Sequence, residues 1–270
     1  MYSLIDDKIV LRRNSIGSYT ETKEMPHAFA TFIARAYRDA ATKLLREPEF
    51  RQAVARRTDT RTVTVEAPVA GEKIVLPAAA RSNTAIASNI EHIRRAAVTI
   101  DLGAGHGSGF FISSDGWILT NAHVAKGSQT VKVVLSDGQS GFGRVVRVHR
   151  ARDVALVKLD GVTAPALPLR AQPVAVTEEV FAIGTPIDKK LSGSVTRGIV
   201  SEVRTNRRNL TDIQADVAIQ PGSSGGPLLD AAGNVVGVSY AGYGELNSGL
   251  NFFIPIQDAL AKLNVSVGGP

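Results

Sequence analysis

From about residue 100 onward the sequence is divided into short runs of β-branched and other apolar residues, and this division limits the fold more than any other feature. Gly, Asp, Asn and Ser separate the runs, as is typical of turns. Examples are SGFFI, WILTNA, TVKVVL, VALVKLD and NVVGVSY. Strands this short and frequent, without helical periodicity between them, indicate an all-β barrel or sandwich. The alternation of strand and helix that an α/β fold requires is absent, and a last helical pattern over residues 255–263 would cap the end.

The N-terminal part has a different pattern. Apolar residues recur at helical spacing over residues 27–57, with charged residues on the other faces. This spacing predicts an amphipathic helix that ends before Pro48, followed by a second short helix. Residues 58–84 mix β-branched residues with Pro, Gly and Ala, which predicts a linker. We therefore predict a helical N-terminal extension over residues 1–84 and a second domain over residues 85–270.

The apolar stripe of the predicted helix needs a surface to cover it, because a stripe of this size is rarely exposed on a monomer. It either packs against the rest of the chain or joins subunits, and the second alternative predicts a homo-oligomer, such as a trimer, through the N-terminal region. The stripe consists of Phe29, Phe32, Ile33, Tyr37, Leu44 and Leu45.

Composition excludes several classes of protein. The chain has no cysteine, so disulfides and thiolate metal sites are impossible, and we predict neither a metal nor a cofactor. The net charge is +6, but acidic residues are interspersed with the basic ones, which favours a solvated surface over a nucleic-acid interface. No apolar run is long enough to span a membrane or to resemble a signal peptide. From the chain as given, we expect no membrane span, and the location is left open, cytoplasmic only by default.

The stretch IQPGSSGGPL, residues 219–228, sets two adjacent serines among three glycines. It satisfies the G-x-S-x-G pattern of α/β-hydrolases, but that fold requires the chain order Ser, then Asp or Glu, then His. All the histidines precede the serines. They are His27, His92, His106, His123 and His149. The α/β-hydrolase interpretation is therefore excluded, and the order Asp, His, Ser would require a mostly parallel sheet. The order His, Asp, Ser remains for a serine that needs a base.

His123 and Asp153 are the candidates for the base and its carboxylate. His123 lies in WILTNAHVAKG, directly after a strand of bulky apolar residues, which would fix the ring at the edge of a cleft. His106 lies in a glycine loop, interpreted as a mobile surface turn, and the arginines that flank His149 would oppose its protonation. Asp153 leads into the apolar strand of DVALVKLD, although an Asp at such a place is often only a turn residue.

Three segments in this order resemble the trypsin-like serine peptidases of the HtrA/Deg type. They are GSGFFISSDGWILTNAHVAKG, RDVALVKLD and IQADVAIQPGSSGGPLLDAAGNVVGVSYAG, and the resemblance covers roughly residues 86–265. It implies a chymotrypsin/trypsin-like fold of two packed six-stranded antiparallel β-barrels, with the active site in the cleft between them. It also implies that His123 is the general base, Asp153 the orienting carboxylate and Ser224 the nucleophile.

The resemblance further implies how substrate is held. The backbone of Gly222, Ser223 and Ser224 would form the oxyanion hole. In this fold, the residue six positions before the nucleophile lies at the base of the pocket for the side chain that precedes the cleaved bond, and here no carboxylate is offered there. We expect a small apolar pocket and a wall that binds the substrate main chain. The predicted substrate-binding residues are Ala218, Ile219, Tyr240, Ala241 and Gly242.

The implied function is a serine endopeptidase whose partners are unfolded or misfolded polypeptides. The alternative is a binding or regulatory protein on the same fold, weakly active or inactive. Inactive relatives of proteases commonly lose a member of the triad, whereas this chain has all three, which favours the enzyme. Because the sequence as given stops at Pro270, we expect the protease domain without a PDZ domain.

Overall fold

Two compact units, Met1–Thr64 and Val65–Pro270, make up the chain. The computed structural model describes residues 2–3, 8–9, 39–43, 45–48, 71–103, 105–206, 208–242 and 250–268. In the first unit, β1 (Tyr2–Ser3) pairs antiparallel with β2 (Lys8–Ile9), and residues 39–43 are helical. Most of the predicted N-terminal helices and most of the apolar stripe lie outside the described residues. The oligomer and the domain boundary at residues 84 and 85 therefore stay predictions.

The first barrel is closed by six antiparallel strands in the order β4-β5-β6-β9-β8-β7. They are β4 (Ala97–Asp101), β5 (His106–Ser113), β6 (Trp117–Thr120), β7 (Thr130–Val134), β8 (Ser140–His149) and β9 (Val154–Lys158). Helix α1 (Ile90–Ala96) leads into β4, and the short helix α2 (Ala122–Ala125) follows β6. The ends of β6 and β9 therefore bring α2 close to the loop before β9, because these two strands are paired.

The second barrel is closed in the equivalent order, β10-β11-β12-β15-β14-β13. Its strands are β10 (Glu179–Gly184), β11 (Ser194–Thr205), β12 (Thr211–Ala215), β13 (Pro227–Asp230), β14 (Val235–Gly242) and β15 (Asn251–Pro255). Helix α3 (Ile256–Lys262) begins directly after β15. The turn that carries the two serines connects β12 to β13.

A large apolar cluster lies between the two barrels. Successive residues of a strand point to opposite sides. In β5, Phe111 belongs to the core of the first barrel, whereas Phe110 and Ile112 join a cluster that includes Leu229 and Ile254 of the second barrel. Both faces of the strand are therefore buried, which explains why the sequence shows continuous apolar runs here instead of a strict alternation.

This cluster also includes residues that precede and follow the barrel strands in the sequence. Strand β3 (Ile74–Leu76) pairs in parallel with β16 (Val265–Val267), and Leu76 is buried in the cluster. The predicted all-β double barrel is confirmed, and the helical pattern over residues 255–263 corresponds to α3. Among the described residues, no helix is both long enough and apolar enough to cross a membrane.

Candidate active site

His123 and Asp153 form a hydrogen-bonded dyad in the first barrel. The His123 Nδ1 atom lies 2.7 Å from Asp153 Oδ2, and the His123 backbone N–H donates to Asp153 Oδ1 at 2.9 Å. Because an ionised carboxylate only accepts hydrogen bonds, Nδ1 carries the proton, and Nε2 of the neutral ring is left as an acceptor. The His123 side chain is 52% exposed.

The backbone around Asp153 is held within the same barrel. Asp153 has a φ of 61°, a left-handed conformation that few residues other than glycine adopt. Its N–H donates to the Arg150 carbonyl at 3.1 Å, and its own carbonyl accepts from Asn121 Nδ2 at 2.9 Å. Asn121 is the residue before α2, which carries His123. The dyad is therefore fixed from both of its ends by residues of the first barrel.

Arg152, the residue before Asp153, extends into the second barrel. Its guanidinium Nη1 lies 2.8 Å from Asp212 Oδ1, and its Nε lies 2.5 Å from Asp258 Oδ2. A further hydrogen bond goes to the Thr211 carbonyl. The Arg152 side chain is only 2% exposed. Arginine suits such a site because its planar group donates to several acceptors at once.

Tyr240 contacts the same charged cluster. Burial raises the pKa of its hydroxyl well above the usual range, and the nearby Asp212 carboxylate, to which the phenol donates a hydrogen bond, raises the pKa further. The Tyr240 side chain is therefore directed at Asp212. For binding a substrate main chain, Tyr240 therefore offers its backbone and not its hydroxyl.

In the second barrel, residues 220–223 form the turn that precedes Ser224. The Ser223 N–H donates to the Gln220 carbonyl at 2.9 Å, and Gly222 has a φ of 98°. Proline at the second position and glycine at the third are the residues of a type II turn. A Cβ atom on Gly222 would also lie 2.5 Å from His106 Nε2 and against the Thr185 carbonyl. Only glycine fits at this position.

Every carbonyl of this turn is held by a donor. The pairs are Ile187 N–H to Pro221 O (2.7 Å), Ser108 Oγ to Gly222 O (2.7 Å), Ser239 Oγ (2.5 Å) and Gly226 N–H (3.0 Å) to Ser223 O, and Ser108 N–H to Ser224 O (2.7 Å). In a trans peptide unit, the N–H of one residue points in the opposite direction to the carbonyl of the residue before it. Fixing the carbonyls of Pro221 and Ser223 therefore turns the N–H groups of Gly222 and Ser224 to the opposite side.

Those two N–H groups have no hydrogen-bond acceptor within the part of the chain that the structure describes. Two such donors are what an oxyanion hole needs. The prediction that Ser223 also contributes its N–H requires correction, because that group is already bound to the Gln220 carbonyl. Gly222 and Ser224 remain as the candidate donors.

The turn lies directly against the residues that lead to His123. Gly225, which has a φ of 88°, is packed so closely that a Cβ atom on it would lie 3.2 Å from the Asn121 amide nitrogen and against Thr120 Oγ1. Thr120 and Asn121 immediately precede α2. The structure thus brings the half-buried Ser224 to the start of the helix that bears the imidazole of the dyad.

Known proteins that are similar in sequence and structure include serine proteases. Residues 107–238 match the model of the family described as "Trypsin-like peptidase domain". Similar curated proteins include "Putative serine protease HhoB" of Synechocystis sp., 45% identical over 166 residues that make up 57% of this chain and 38% of that protein. Another is the "Probable periplasmic serine endoprotease DegP-like" of Halomonas elongata, 42% identical over 160 residues, 57% of this chain and 33% of that protein.

A solved structure described as "HtrA-type protease AlgW with tripeptide" matches with a TM-score of 0.59 and 32% identity, covering 66% of this chain and 62% of that chain. Over this region the chain is similar to trypsin-like serine proteases, including ones of the HtrA type. The chain spans less than half the length of the two curated relatives named above, 38% of the first and 33% of the second.

Two residues that the sequence did not assign to the site lie against the serine turn. His106 begins β5, and its Nε2 lies 2.7 Å from the Thr185 carbonyl, so the interpretation of His106 as part of a mobile surface turn is wrong. Ser108 is buried and binds the turn through both its backbone and its side chain. The only sequence signal for Ser108 was its place between two glycines in the GSGFFI segment.

The predicted substrate-binding residues lie on two segments of the second barrel. Ala218 and Ile219 follow β12, and Ile219 packs against the core of the barrel. The nearest carboxylate in the chain, Asp216, accepts a hydrogen bond from the Ile199 N–H at 2.7 Å. Ala241 and Gly242 end β14, and their backbones pair with Phe252 and Asn251 of β15. The Ala241 side chain lies outside the described part of the structure.

A second ion pair joins the barrels beside the serine turn. Lys189 lies in the same loop as Ile187, and its Nζ is 2.6 Å from Asp101 Oδ1. The hydrogen bond from Lys189 and the Gly103 N–H lower the pKa of Asp101 to about 2. Ile187 has a φ of 61°, which is an outlier for a β-branched residue, and its side chain is 68% exposed.

Proposed function

We propose that this protein is a serine endopeptidase that cleaves unfolded or misfolded polypeptides after small or medium apolar residues, through an acyl-enzyme. The observation that carries the proposal is the pairing of the His123–Asp153 dyad with a turn that presents Ser224 and two N–H groups without acceptors. The names of the relatives as serine proteases and endoproteases support the same reaction.

In the proposed mechanism, His123 Nε2 accepts the proton of the Ser224 hydroxyl as its Oγ attacks the substrate carbonyl. The N–H groups of Gly222 and Ser224 bind the oxygen that becomes negative in the tetrahedral intermediate. Asp153 stabilises the imidazolium that forms. The imidazolium then donates its proton to the leaving amine, and water hydrolyses the acyl-enzyme by the same sequence of proton transfers.

The proposed preference for apolar side chains rests on the charge distribution beside Ala218 and Ile219. A pocket that selects Lys or Arg needs a free carboxylate at its base. In the segment from Asp216 to Gln220 the only carboxylate is that of Asp216, and it already binds the Ile199 N–H. A small apolar lining without a free charge favours substrates with Val, Ala, Ile or Leu at this position.

The proposed preference for unfolded protein rests on how the substrate main chain would bind. Pairing between β13 and β14 ends at Pro227 and Val238, and the Gly225 N–H then donates to the Ser239 carbonyl. Within the described residues, no strand continues this edge of β14 past Ser239. An extended segment of substrate can add there as a further strand. A folded protein rarely offers such a segment.

The proposed function is tested with internally quenched peptides that differ only at the residue before the cleaved bond, together with one protein in folded and permanently unfolded forms. Val and Ala peptides should be hydrolysed faster than Lys and Glu peptides, and the unfolded protein faster than the folded one. The Ser224→Ala variant should lose about 10⁶-fold in kcat. Ser223→Ala is the matched control, since the backbone N–H that closes the turn is retained. Equal loss in both variants, or a preference for Lys peptides, would contradict the proposal.

A further inference from the structure

We propose that Ser108 is a positioning residue of the active site, whose side chain in the first barrel aligns the Ser224 turn of the second barrel with His123. The proposal rests on the proposed function, and it assigns a role to the serine of GSGFFI that neither the dyad nor the oxyanion hole explains. Ser108 touches no reacting atom. It acts through the backbone on either side of Ser223.

The hydrogen bonds of Ser108 define its role. The hydroxyl donates to the Gly222 carbonyl at 2.7 Å and accepts from the Thr185 N–H at 3.0 Å. Since Thr185 supplies a donor, the single hydroxyl proton goes to Gly222 O. The Ser108 N–H donates to the Ser224 carbonyl at 2.7 Å. One residue thus holds the two carbonyls that flank Ser223.

Ser108 is itself tied to the strand that leads to the imidazole. Its carbonyl accepts from Thr120 Oγ1 at 2.7 Å, and Thr120 is the last residue of β6, three positions before His123. A continuous path of short contacts therefore runs from Ser224 through Ser108 and Thr120 to α2. Ser108 is only 1% exposed, so water does not replace these bonds readily.

This path has a consequence for catalysis that ordinary packing does not have. The distance and angle between Ser224 Oγ and His123 Nε2 depend on how the second barrel sits against the first. A displacement of about 1 Å can cost about 10²-fold in rate while leaving substrate binding unchanged. The side chain of Ser108 fixes this placement at the nucleophile itself, whereas the apolar cluster between the barrels fixes it only at a distance.

The Ser108→Ala variant removes the hydroxyl with little change in shape. We expect kcat on an apolar peptide to fall by about 10- to 100-fold with KM nearly unchanged. Ser113→Ala is the matched control, because Ser113 lies in the same strand and is fully buried, but its hydroxyl donates to Asp115. This control should keep its kcat. The Ser108→Cys variant keeps the volume and a weak donor, and its kcat should lie between those of wild type and Ser108→Ala.

Amide hydrogen exchange of residues 220–226 is measured on the same full-length variants. Exchange in this segment should rise about tenfold in Ser108→Ala and stay unchanged in Ser113→Ala, because local opening is easier when the Gly222 carbonyl is released. If Ser108→Ala does not fold, as judged by its thermal transition, Ser108→Cys carries both measurements.

Faster exchange with an unchanged kcat would overturn the proposal, since Ser108 would then be merely structural. Unchanged exchange in both Ser108 variants would overturn it as well. The wild-type protein could be inactive while exchange in the turn still rises only in the Ser108 variants. This result would contradict the proposed function but support the role of Ser108 in holding the turn. The two failures are therefore distinguishable.

Discussion

The two barrels contribute to the candidate active site in different ways. In the first, the dyad is closed by bonds within that barrel, from His123 and Asn121 to Asp153. In the second, the carbonyls of the Ser224 turn are held by donors from both barrels, with Ser108 coming from the first. The proposed base and its carboxylate are thus organised locally, whereas the position of the proposed nucleophile depends on how the barrels dock. Changes at the contact between barrels should therefore impair the nucleophile more than the dyad.

Among the substitutions that test this difference between the barrels, the largest effect is expected within the dyad. Asp153→Asn should lower kcat by about 10⁴-fold, because an amide in place of the carboxylate favours the wrong tautomer of His123 and does not stabilise the imidazolium. Thermal unfolding should change little. The control is Asp160→Asn at an exposed position of the same barrel, where the side chain is 70% exposed. An Asp153→Asn enzyme with full kcat would show that another carboxylate orients His123.

The next effect concerns the charged connection between the barrels. Arg152→Met leaves the carboxylates of Asp212 and Asp258 without their buried partner, and breaking such a pair typically costs about 3–5 kcal/mol. Urea denaturation should give a loss of that size in the free energy of unfolding. Arg144→Met, at an exposed pair with 3.9 Å between Arg144 Nη2 and Asp160 Oδ2, should cost about 1 kcal/mol or less. Equal losses would mean that the Arg152 cluster does not stabilise the contact.

The pH dependence of stability tests the second ion pair between the barrels, Lys189–Asp101. The pKa of Asp101 is lowered from 3.8 to about 2, first by the hydrogen bond from Lys189 and then by that from the Gly103 N–H. A lowered folded-state pKa contributes stability that is fully present above pH 4 and is lost as the pH falls toward 2. Asp101→Asn should therefore be less stable than wild type at pH 6, and this difference should vanish near pH 2.

Lys189→Met provides the companion measurement for Asp101. Its loss of unfolding free energy at pH 6 should also shrink as the pH falls, and the double variant should lose less than the sum of the single variants, because the two residues share one interaction. Urea denaturation at a series of pH values measures both effects. Additive losses that do not change with pH would contradict the role of the pair.

The smallest expected effect is a gain in stability. Ile187 holds the Pro221 carbonyl from a left-handed backbone conformation that costs about 1 kcal/mol or more for a β-branched residue. Asparagine tolerates this conformation, so Ile187→Asn should raise the unfolding free energy by about 1 kcal/mol while keeping the N–H donor. Ile187→Ala removes the same exposed side chain but gains less. If Asn and Ala gave the same stability, strain at this residue would be negligible.

The sequence predicted the parts of the site that depend on chain order and local pattern. Histidines that all precede the two serines excluded one fold, and the position of His123 directly after an apolar strand predicted its contact with Asp153. The use of the Ser223 N–H to close a turn was not recognisable, because glycine and proline indicate a turn without stating which amide it consumes. Ser108 and Arg152 escaped notice because their partners are 114 and 60 residues away. Side-chain direction, as for Tyr240, depends on packing that no short pattern encodes.

The measurement that tests the central claim most directly is labelling of the intact chain with a fluorophosphonate, followed by mapping of the modified residue by mass spectrometry. The claim is that the dyad of the first barrel activates Ser224 on the turn of the second. The account predicts a single adduct on Ser224 in wild type and in Ser223→Ala, none in Ser224→Ala, and greatly slowed labelling in His123→Ala. An adduct on Ser223, or a wild-type chain that remains unlabelled while folded, would contradict it.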